Sequence, residues 1–214
     1  MTTNTWPRLI LGSTSPYRRD LLGRLGLPFE TCAPRIAETP LDGESPRSLA
    51  WRLAQAKAQD VADQYKQADV LVIGSDQVAE LNEAPLGKPG NHERARAQLQ
   101  AMRRQIVLFH TAVCVVRPLR GFIQTQVSTV KVQFRDLTDK DIETYLLAEQ
   151  PYDCAGSAKA ESLGIVLLDR IESDDPTALI GLPMIITSRL MREAGADPLM
   201  WRSDLCDGTT AHPT

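Results

Sequence analysis

Apolar runs of strand length alternate with stretches of helical periodicity along most of the chain. Four runs predict strands: "LILG" at 9–12, "DVLVIGSDQVAEL" at 69–81, which is expected to be buried, "QIVLFHTAVCVV" at 105–116 and "FIQTQVSTVKVQF" at 122–134. In the last run Val130, Val132 and Phe134 alternate with polar neighbours, which is typical of an antiparallel strand with one face in water. This alternation of strands and helices favours the α/β class over a helical bundle or a β-sandwich.

The predicted helices begin at recognisable caps. Ser15-Pro16 and Ser45-Pro46 each supply a capping hydroxyl and then a proline at the first helical position. The predicted helices run from Pro16 to Gly26, from Pro46 to about Tyr65, from a cap at Asn91 through Met102, from a cap at Thr138 through Leu146, and from near Pro183 to Gly195. "FETCAP" and "IVLLDRI" predict short strands, and "CAGSAKAESLG" predicts a glycine-rich loop. Residues 1–202 are expected to form one domain, followed by a loose tail at 203–214.

Composition narrows the function classes. The 214 residues are 43% hydrophobic and 24% charged, which suits one large domain or two closely joined lobes. The net charge of -3 argues against a protein that binds a nucleic-acid polymer, because such a protein needs a basic face. No run approaches the roughly 20 apolar residues that span a bilayer, and "MTTNTWPRLI" lacks the features of a signal peptide. We therefore expect a cytoplasmic protein that does not bind membranes.

The cysteines and histidines do not suggest a metal site. The four cysteines, at 32, 114, 154 and 206, have no paired spacing, and the three histidines form no ligand pair. Reduced, mostly buried thiols are expected, and no structural zinc.

The stretch "GSTSPYRR" follows the first predicted strand and opens a helix. Such a turn presents backbone N–H groups, and Ser13, Thr14 and Ser15 add hydroxyls beside them, so an anion is suited to this position. Arg18 and Arg19 lie in the first helical turn, where positive charge is unfavourable to the helix dipole unless an anion compensates. From the residues alone, the serines serve equally well as simple caps and the arginines as solvated side chains.

Charged residues elsewhere in the chain are candidates for the same site. Lys57 falls inside the apolar face of the second helix, where a lysine either extends its amine to the edge of the face or reaches a cleft. Asp76 lies in "GSDQ" at the end of an apolar run, where a carboxylate binds a ligand or metal, or simply caps a turn. Glu38 and Lys88 lie in predicted loops and either join this cleft or face solvent.

An anion-binding turn, local cations and two separated acids together favour phosphoryl transfer. Cations and amides hold phosphate oxygens in such enzymes, while carboxylates hold Mg²⁺ and position a water. A peptidase or esterase fits less well, because Ser13 and Ser15 lack the G-x-S-x-G setting and no histidine is an evident base.

Eight motifs follow one another over almost the whole chain: "STSPYRRDLL", "ETP", "RLAQAKA", "GSDQV", "GKP", "HTA", "CAGSAKAESLGI" and "GLP". In this order they resemble the motifs of the Maf family of nucleoside triphosphate pyrophosphatases. The chain is most similar to the branch that acts on 7-methyl-GTP, because Tyr17 is aromatic where the dTTP/UTP branch has an arginine, and Gln77 and Glu161 fit the 7-methyl-GTP pattern. A Maf enzyme with dTTP/UTP preference is the alternative within the family.

The resemblance implies a fold and an activity. The fold would be α/β, akin to the inosine triphosphate pyrophosphatases, with an elongated mixed sheet flanked by helices and two lobes around a central cleft. The reaction would convert a nucleoside triphosphate and water into a monophosphate and pyrophosphate. The family also suggests a homodimer. A nucleotide-binding regulator without catalysis is the rival from another class.

The resemblance further implies roles for individual residues. Asp76 would be the proton acceptor, and Glu38 and Asp76 would lie near Mg²⁺ or Mn²⁺. Ser13, Arg18, Lys57 and Lys88 would hold the triphosphate, and Tyr17, Gln77 and Glu161 would determine the base. Ala112 and Ser162 stand where the family commonly has glycine, so the backbone near the base is expected to differ there.

Overall fold

The strands form a single mixed sheet. The computed structural model describes residues 6–65 and 68–207. Its strands are β1 (Arg8–Gly12), β2 (Glu30–Thr31), β3 (Val70–Leu81), β4 (Ala84–Leu86), β5 (Ile106–Arg117), β6 (Phe122–Phe134) and β7 (Leu168–Glu172). Their order is β2-β1-β3-β5-β6-β7, with β4 also paired to β3. β1 runs parallel to β2 and β3, whereas β3, β4, β5, β6 and β7 pair antiparallel, so the predicted α/β class and the antiparallel β5–β6 pair are confirmed.

Six α-helices cover the sheet in the part of the chain that the structure describes. They are α1 (Pro16–Gly23), α2 (Pro46–Ala62), α3 (His92–Met102), α4 (Asp139–Glu149), α5 (Met184–Glu193) and α6 (Pro198–Cys206). The predicted caps are confirmed, because the side chains of Ser15, Ser45, Asn91 and Thr138 each accept a backbone N–H from the first turn. Among the described helices, none combines the length and apolarity that crossing a membrane requires.

The apolar core has one cluster on the α2 face of the sheet and two on the other face. On one face, α2 packs its alanine-rich stripe on β3 and β5. On the other face, α1, α5 and α6 cover the half of the sheet nearest β1, and α3 and α4 cover the half nearest β7. This arrangement leaves a boundary between the two clusters of the second face, midway along the long strands β3 and β5.

The edge of β3 that faces β1 is interrupted at this boundary. β1 and β4 pair with the same edge of β3, since β5 occupies the opposite edge. The pairing with β1 ends at Gly74, and the pairing with β4 begins at Ala79. Neither of these two strands pairs with residues 75–78. Side chains from both faces of β3 can therefore reach the same opening, since successive residues of a strand point to opposite faces.

Several predicted boundaries are wrong. α1 ends at Gly23, three residues before Gly26, because tight turns carry the chain through residues 24–26. A 3₁₀ turn over Leu163–Leu167 delays the strand that was expected from 165, so β7 begins at Leu168. β4 was not predicted at all.

The expected loose tail begins instead as a helix. Residues 203–206 belong to α6, which Asp197 caps and which is docked by Trp201 stacking on Trp6, with ring centroids 5.4 Å apart. The indole of Trp6 also donates to Asp204 at 2.9 Å. Residues 208–214 of the expected tail lie outside the described residues.

Candidate active site

A cleft of about 730 Å³ opens at the interrupted edge of β3. Nine of the residues that the sequence nominated line it: Ser13, Tyr17, Arg18, Glu38, Lys57, Asp76, Gln77, Lys88 and Glu161. They come from the turn after β1, the first turn of α1, the loop before α2, α2 itself, β3, the segment after β4 and the loop before β7. The structure therefore brings these nine residues to one place, whereas Arg19 lies outside the cleft lining with its side chain 60% exposed.

Lys57 bridges two carboxylates on the α2 face of the cleft. Its ammonium lies 2.6 Å from Asp76 Oδ1 and 2.7 Å from Glu38 Oε1, and its side chain is 7% exposed. Of the two interpretations of Lys57, the structure supports the one in which the amine reaches a cleft. A buried ammonium needs such partners, because an unpaired charge is very costly to remove from water.

Gly74 sets the distance between α2 and β3 at this point. A Cβ on Gly74 would lie 2.5 Å from the backbone nitrogen of Ala58 and 2.6 Å from the carbonyl oxygen of Ala54. No side chain fits there, so α2 lies directly on the strand. This close approach allows Lys57, one residue before Ala58, to reach Asp76, two residues after Gly74.

The two carboxylates have different proton affinities. Burial raises the pKa of Asp76, and the charges of Lys57 and Arg18 oppose that rise only in part. Burial also acts to raise the pKa of Glu38, but the hydrogen bond and charge of Lys57, with Lys88 and Arg18 beyond, hold it below its usual value. Two acids whose pKa values are pushed apart are suited to different roles, with Asp76 as the better proton acceptor.

The turn after β1 pairs more of its own backbone N–H groups than the sequence predicts. The amide of Ser13 donates to Leu11 O at 2.9 Å, and the amide of Ser15 donates to Ser13 Oγ at 3.1 Å, so the expectation of unpaired amides is wrong for these two residues. Ser13 Oγ acts as acceptor in this contact and toward Arg18 Nη1 at 3.5 Å, which leaves its own hydrogen for a ligand. The turn therefore offers mainly side-chain groups to a ligand.

Arg18 is held from behind by the loop before α5. Its Nε donates to the carbonyl oxygen of Gly181 at 2.9 Å, and Ser75 Oγ lies 2.9 Å from the same oxygen and 2.8 Å from the carbonyl oxygen of Ala112. Burial lowers the pKa of Arg18, while the charges of Asp76 and Glu38 act to raise it. An arginine remains charged under such shifts, so it supplies a fixed cation to the cleft.

Gln77 points to the opposite face of β3 from Asp76, toward the loop over Ala178–Ile180. Its Nε2 donates to Thr111 Oγ1 at 2.9 Å and faces the carbonyl oxygens of Ala178 and Leu179 at 3.0 Å each. Carbonyl oxygens only accept hydrogen bonds, so these contacts fix the orientation of the amide. Gln77 Oε1 is then the atom available as an acceptor for a ligand.

Tyr17 and Glu161 line the same cleft as Gln77. Burial raises the pKa of Tyr17 and also that of Glu161. Lys159 Nζ lies 6.0 Å from the centroid of the Tyr17 ring. The sequence reasoning did not single out Lys159, Ser75, Thr111 or Gly181 as site residues, because each acts through contacts between segments that are distant in the chain.

The acids of the cleft suit a divalent cation that arrives with a phosphate ligand. Glu38 and Asp76 each contact Lys57 through one oxygen, so each retains a second oxygen. Mg²⁺ is commonly held by one or two carboxylates together with substrate phosphates and water. Within the described ranges, no group of three or more His, Cys, Asp or Glu side chains could hold a metal without such a ligand.

The chain is similar to known proteins over most of its length. The family model described as Maf-like protein matches residues 8–194. A relative from Polaromonas sp. named 7-methyl-GTP pyrophosphatase is 62% identical over 193 residues, 90% of this chain and 87% of its own length. Relatives with the same name from Albidiferax ferrireducens (61% identity, 88% of this chain and 94% of theirs) and Thiobacillus denitrificans (53%, 93% and 98%) are similar over comparable lengths.

Proposed function

The chain belongs to the Maf family, and on that premise we propose that it hydrolyses 7-methyl-GTP to 7-methyl-GMP and pyrophosphate. The observation that carries the proposal is the position of Asp76, a proton acceptor beside a buried lysine in a cleft that also contains an aromatic ring and a carboxylate. The names of the relatives support the same reaction and substrate.

Asp76 performs the central step of the proposed reaction. A water molecule attacks the α-phosphorus, its proton passes to a carboxylate oxygen of Asp76, and the bond from the α-phosphorus to the bridging oxygen breaks to release pyrophosphate. Lys57 holds Asp76 in place through Oδ1, so that Oδ2 is left for the water. General base catalysis of this kind contributes typically a factor of 10²–10⁴.

The cations of the cleft bind the triphosphate. Arg18, Lys57 and Lys88 line the same region as the Ser13 hydroxyl, and fixed cations stabilise the negative charge that develops on the leaving pyrophosphate. Glu38 would hold Mg²⁺ or Mn²⁺ through its second oxygen, and Asp76 would lie near the same cation while Oδ2 is kept for the water. When bound, the cation would neutralise phosphate charge and polarise the phosphoryl oxygen.

The opposite side of β3 recognises the base. Methylation at N7 gives guanine a positive charge, and an aromatic ring such as Tyr17 attracts a cation by roughly 0.5–2 kcal/mol. Gln77 Oε1 and the Glu161 carboxylate are acceptors, which suits the N–H groups on the edge of guanine. An arginine at position 17, as in the dTTP/UTP branch, would repel the same base.

A panel of nucleoside triphosphates tests the proposal. The purified protein is incubated with 7-methyl-GTP, GTP, dTTP, UTP and ATP in the presence of Mg²⁺, and monophosphate and pyrophosphate are quantified separately. We expect 7-methyl-GTP to give the highest kcat/KM, with equal amounts of the two products and no activity in EDTA. Release of inorganic phosphate instead of pyrophosphate would contradict the proposed reaction.

Two substitutions test the assignment of the base side. Tyr17→Arg and Glu161→Gln should each reduce the preference for 7-methyl-GTP over GTP by about tenfold, because each removes attraction for a cationic base. Unchanged selectivity in both variants would contradict the assignment. Binding without turnover of any nucleotide would favour the non-catalytic regulator.

We also propose that the enzyme acts as a homodimer in the cytoplasm. The described cysteines are all free thiols, which agrees with a reducing compartment. Light scattering should give about twice the chain mass of 23.6 kDa.

A further inference from the structure

Asp153 is a second carboxylate on the base side of the cleft, and neither the proposed reaction nor the base assignment uses it. It lines the cleft next to Cys154, and its side chain is 62% exposed. Its Oδ1 is 3.4 Å from Cys154 Sγ and 3.9 Å from Lys159 Nζ. Cys154 Sγ in turn lies 4.0 Å from the hydroxyl of Tyr17, so one side chain separates Asp153 from the residue whose ring is assigned to the base.

The two ends of the cleft carry opposite net charge. On the phosphate side, the cations Arg18, Lys57 and Lys88 outnumber the carboxylates Asp76 and Glu38. On the base side, the cleft is lined by the carboxylates Asp153 and Glu161. This division matches a ligand that is anionic at one end and cationic at the other.

Lys159 does not reverse the charge of the base side. Its ammonium is 3.8 Å from Glu149 Oε1 and 3.9 Å from Asp153 Oδ1, so its one positive charge is set against two carboxylates before Glu161 is counted. The backbone of Lys159 is also tightly enclosed, because a Cβ on Gly164 would lie 2.5 Å from its carbonyl oxygen. The positive charge of Lys159, 6.0 Å from the Tyr17 ring centroid, is therefore outnumbered by carboxylates, and the base side remains net acidic.

We propose that Asp153 is a further specificity-determining residue, which selects the cationic 7-methylguanine base over neutral guanine by its negative charge. This inference rests on the proposed function. Unlike Glu161, Asp153 needs no hydrogen bond to the base, because a charge acts over several ångströms where water does not fully screen it. The preference that it adds is a matter of charge and not of the shape of the methyl group.

The test compares kcat/KM for 7-methyl-GTP and GTP in wild type, Asp153→Asn, Asp153→Glu and Asp169→Asn. Asp169 is an exposed acid on β7 outside the cleft lining, so its variant is a control for the loss of one negative charge anywhere on the protein. We expect Asp153→Asn to lower the ratio of the two kcat/KM values by roughly twofold to fivefold, the size typical of an exposed charge pair. Asp153→Glu and Asp169→Asn should retain the wild-type ratio.

Two further readouts separate charge from structural damage. The lower kcat/KM ratio of Asp153→Asn should come from a higher KM for 7-methyl-GTP, with KM for GTP and both kcat values unchanged. The difference in this ratio between wild type and Asp153→Asn should also become smaller between roughly 0.05 M and 0.5 M salt, because salt screens exposed charges. A wild-type enzyme without activity on 7-methyl-GTP would contradict the proposed function. A wild-type enzyme that prefers 7-methyl-GTP, together with an Asp153→Asn ratio equal to that of Asp169→Asn, would overturn this inference alone.

Discussion

Replacing Asp76 by asparagine should greatly reduce catalysis without reducing stability, and the second effect follows from the burial of this side chain. Asparagine has the same shape but cannot accept the proton from water, so kcat should fall by roughly 10²–10⁴, equivalent to about 3–5 kcal/mol of transition-state stabilisation. KM should change much less, because Arg18, Lys57 and Lys88 remain in place to bind the triphosphate.

The same substitution should not destabilise the fold. Burial raises the pKa of Asp76, so the folded protein binds a proton at this position more tightly than the unfolded chain does. Stability therefore falls as the pH rises through the two pKa values, and at neutral pH the ionised carboxylate is a net cost. Asparagine removes that cost, while Lys57 keeps Glu38 as its partner at 2.7 Å.

Two measurements on one preparation test this reasoning. Pyrophosphate release gives kcat, and differential scanning calorimetry gives Tm, with Asp169→Asn as the control for both. We expect Asp76→Asn to be nearly inactive, with a Tm equal to or above that of wild type. Activity within tenfold of wild type would refute the role of Asp76 as base, and a clearly lower Tm would refute the argument from burial.

Four further predictions concern the framework of the fold. Gly74→Ala should lower the free energy of unfolding by about 3 kcal/mol and reduce kcat, because the added Cβ would lie 2.5 Å from the backbone of α2. The control is Gly87→Ala, whose added Cβ has nothing within 4 Å and should leave Tm unchanged. Arg117→Met should cost about 3 kcal/mol in urea unfolding, because the Arg117 guanidinium is buried, pairs with Asp69 at 2.7 Å and donates to the carbonyl oxygens that end α5; the exposed Arg19→Met is the matched control. Thr138→Ala should cost about 1 kcal/mol through the lost cap of α4. Hydrogen bonds from Thr138 lower the pKa of Asp141 to about 2 in the folded protein, so the stability that Asp141 contributes is present above its unfolded pKa and is lost as the pH falls toward 2. The difference in urea midpoint between wild type and Asp141→Asn should therefore disappear over that pH range. A difference that stays constant with pH would contradict this.

Local signals in the sequence predicted most of the elements. A serine followed by proline specifies a helix start through contacts within four residues, which is why α1 and α2 begin where expected. Asp197-Pro198 is the same kind of signal, with aspartate as the cap, and it marks the start of α6 that was overlooked. The docking of α6 depends instead on Trp6, which is 195 positions away from Trp201 and leaves no periodic trace in the sequence.

The candidate site was predictable as a set of residues but not as an arrangement. The position of Lys57 in an apolar stripe predicts a partner for its charge, and in the structure the partners are Asp76 and Glu38. The pairing of Ser13 and Ser15 amides within the turn was not predictable, because it depends on the path of a few residues. The hydrogen bonds that fix Gln77 come from a loop about 100 residues away, so no spacing along the chain indicates them.

The position of Asp76 and Gln77 as neighbours on β3 has a consequence for how such enzymes diversify. The pleat directs Asp76 to the α2 face, where we propose hydrolysis, and Gln77 to the other face, where we propose that the base binds, and α2 packs only on the first. On that proposal, point mutations on the second face would exchange one nucleobase for another while the bond-breaking apparatus is inherited intact. A lineage built on this strand can acquire new substrates without rebuilding its chemistry.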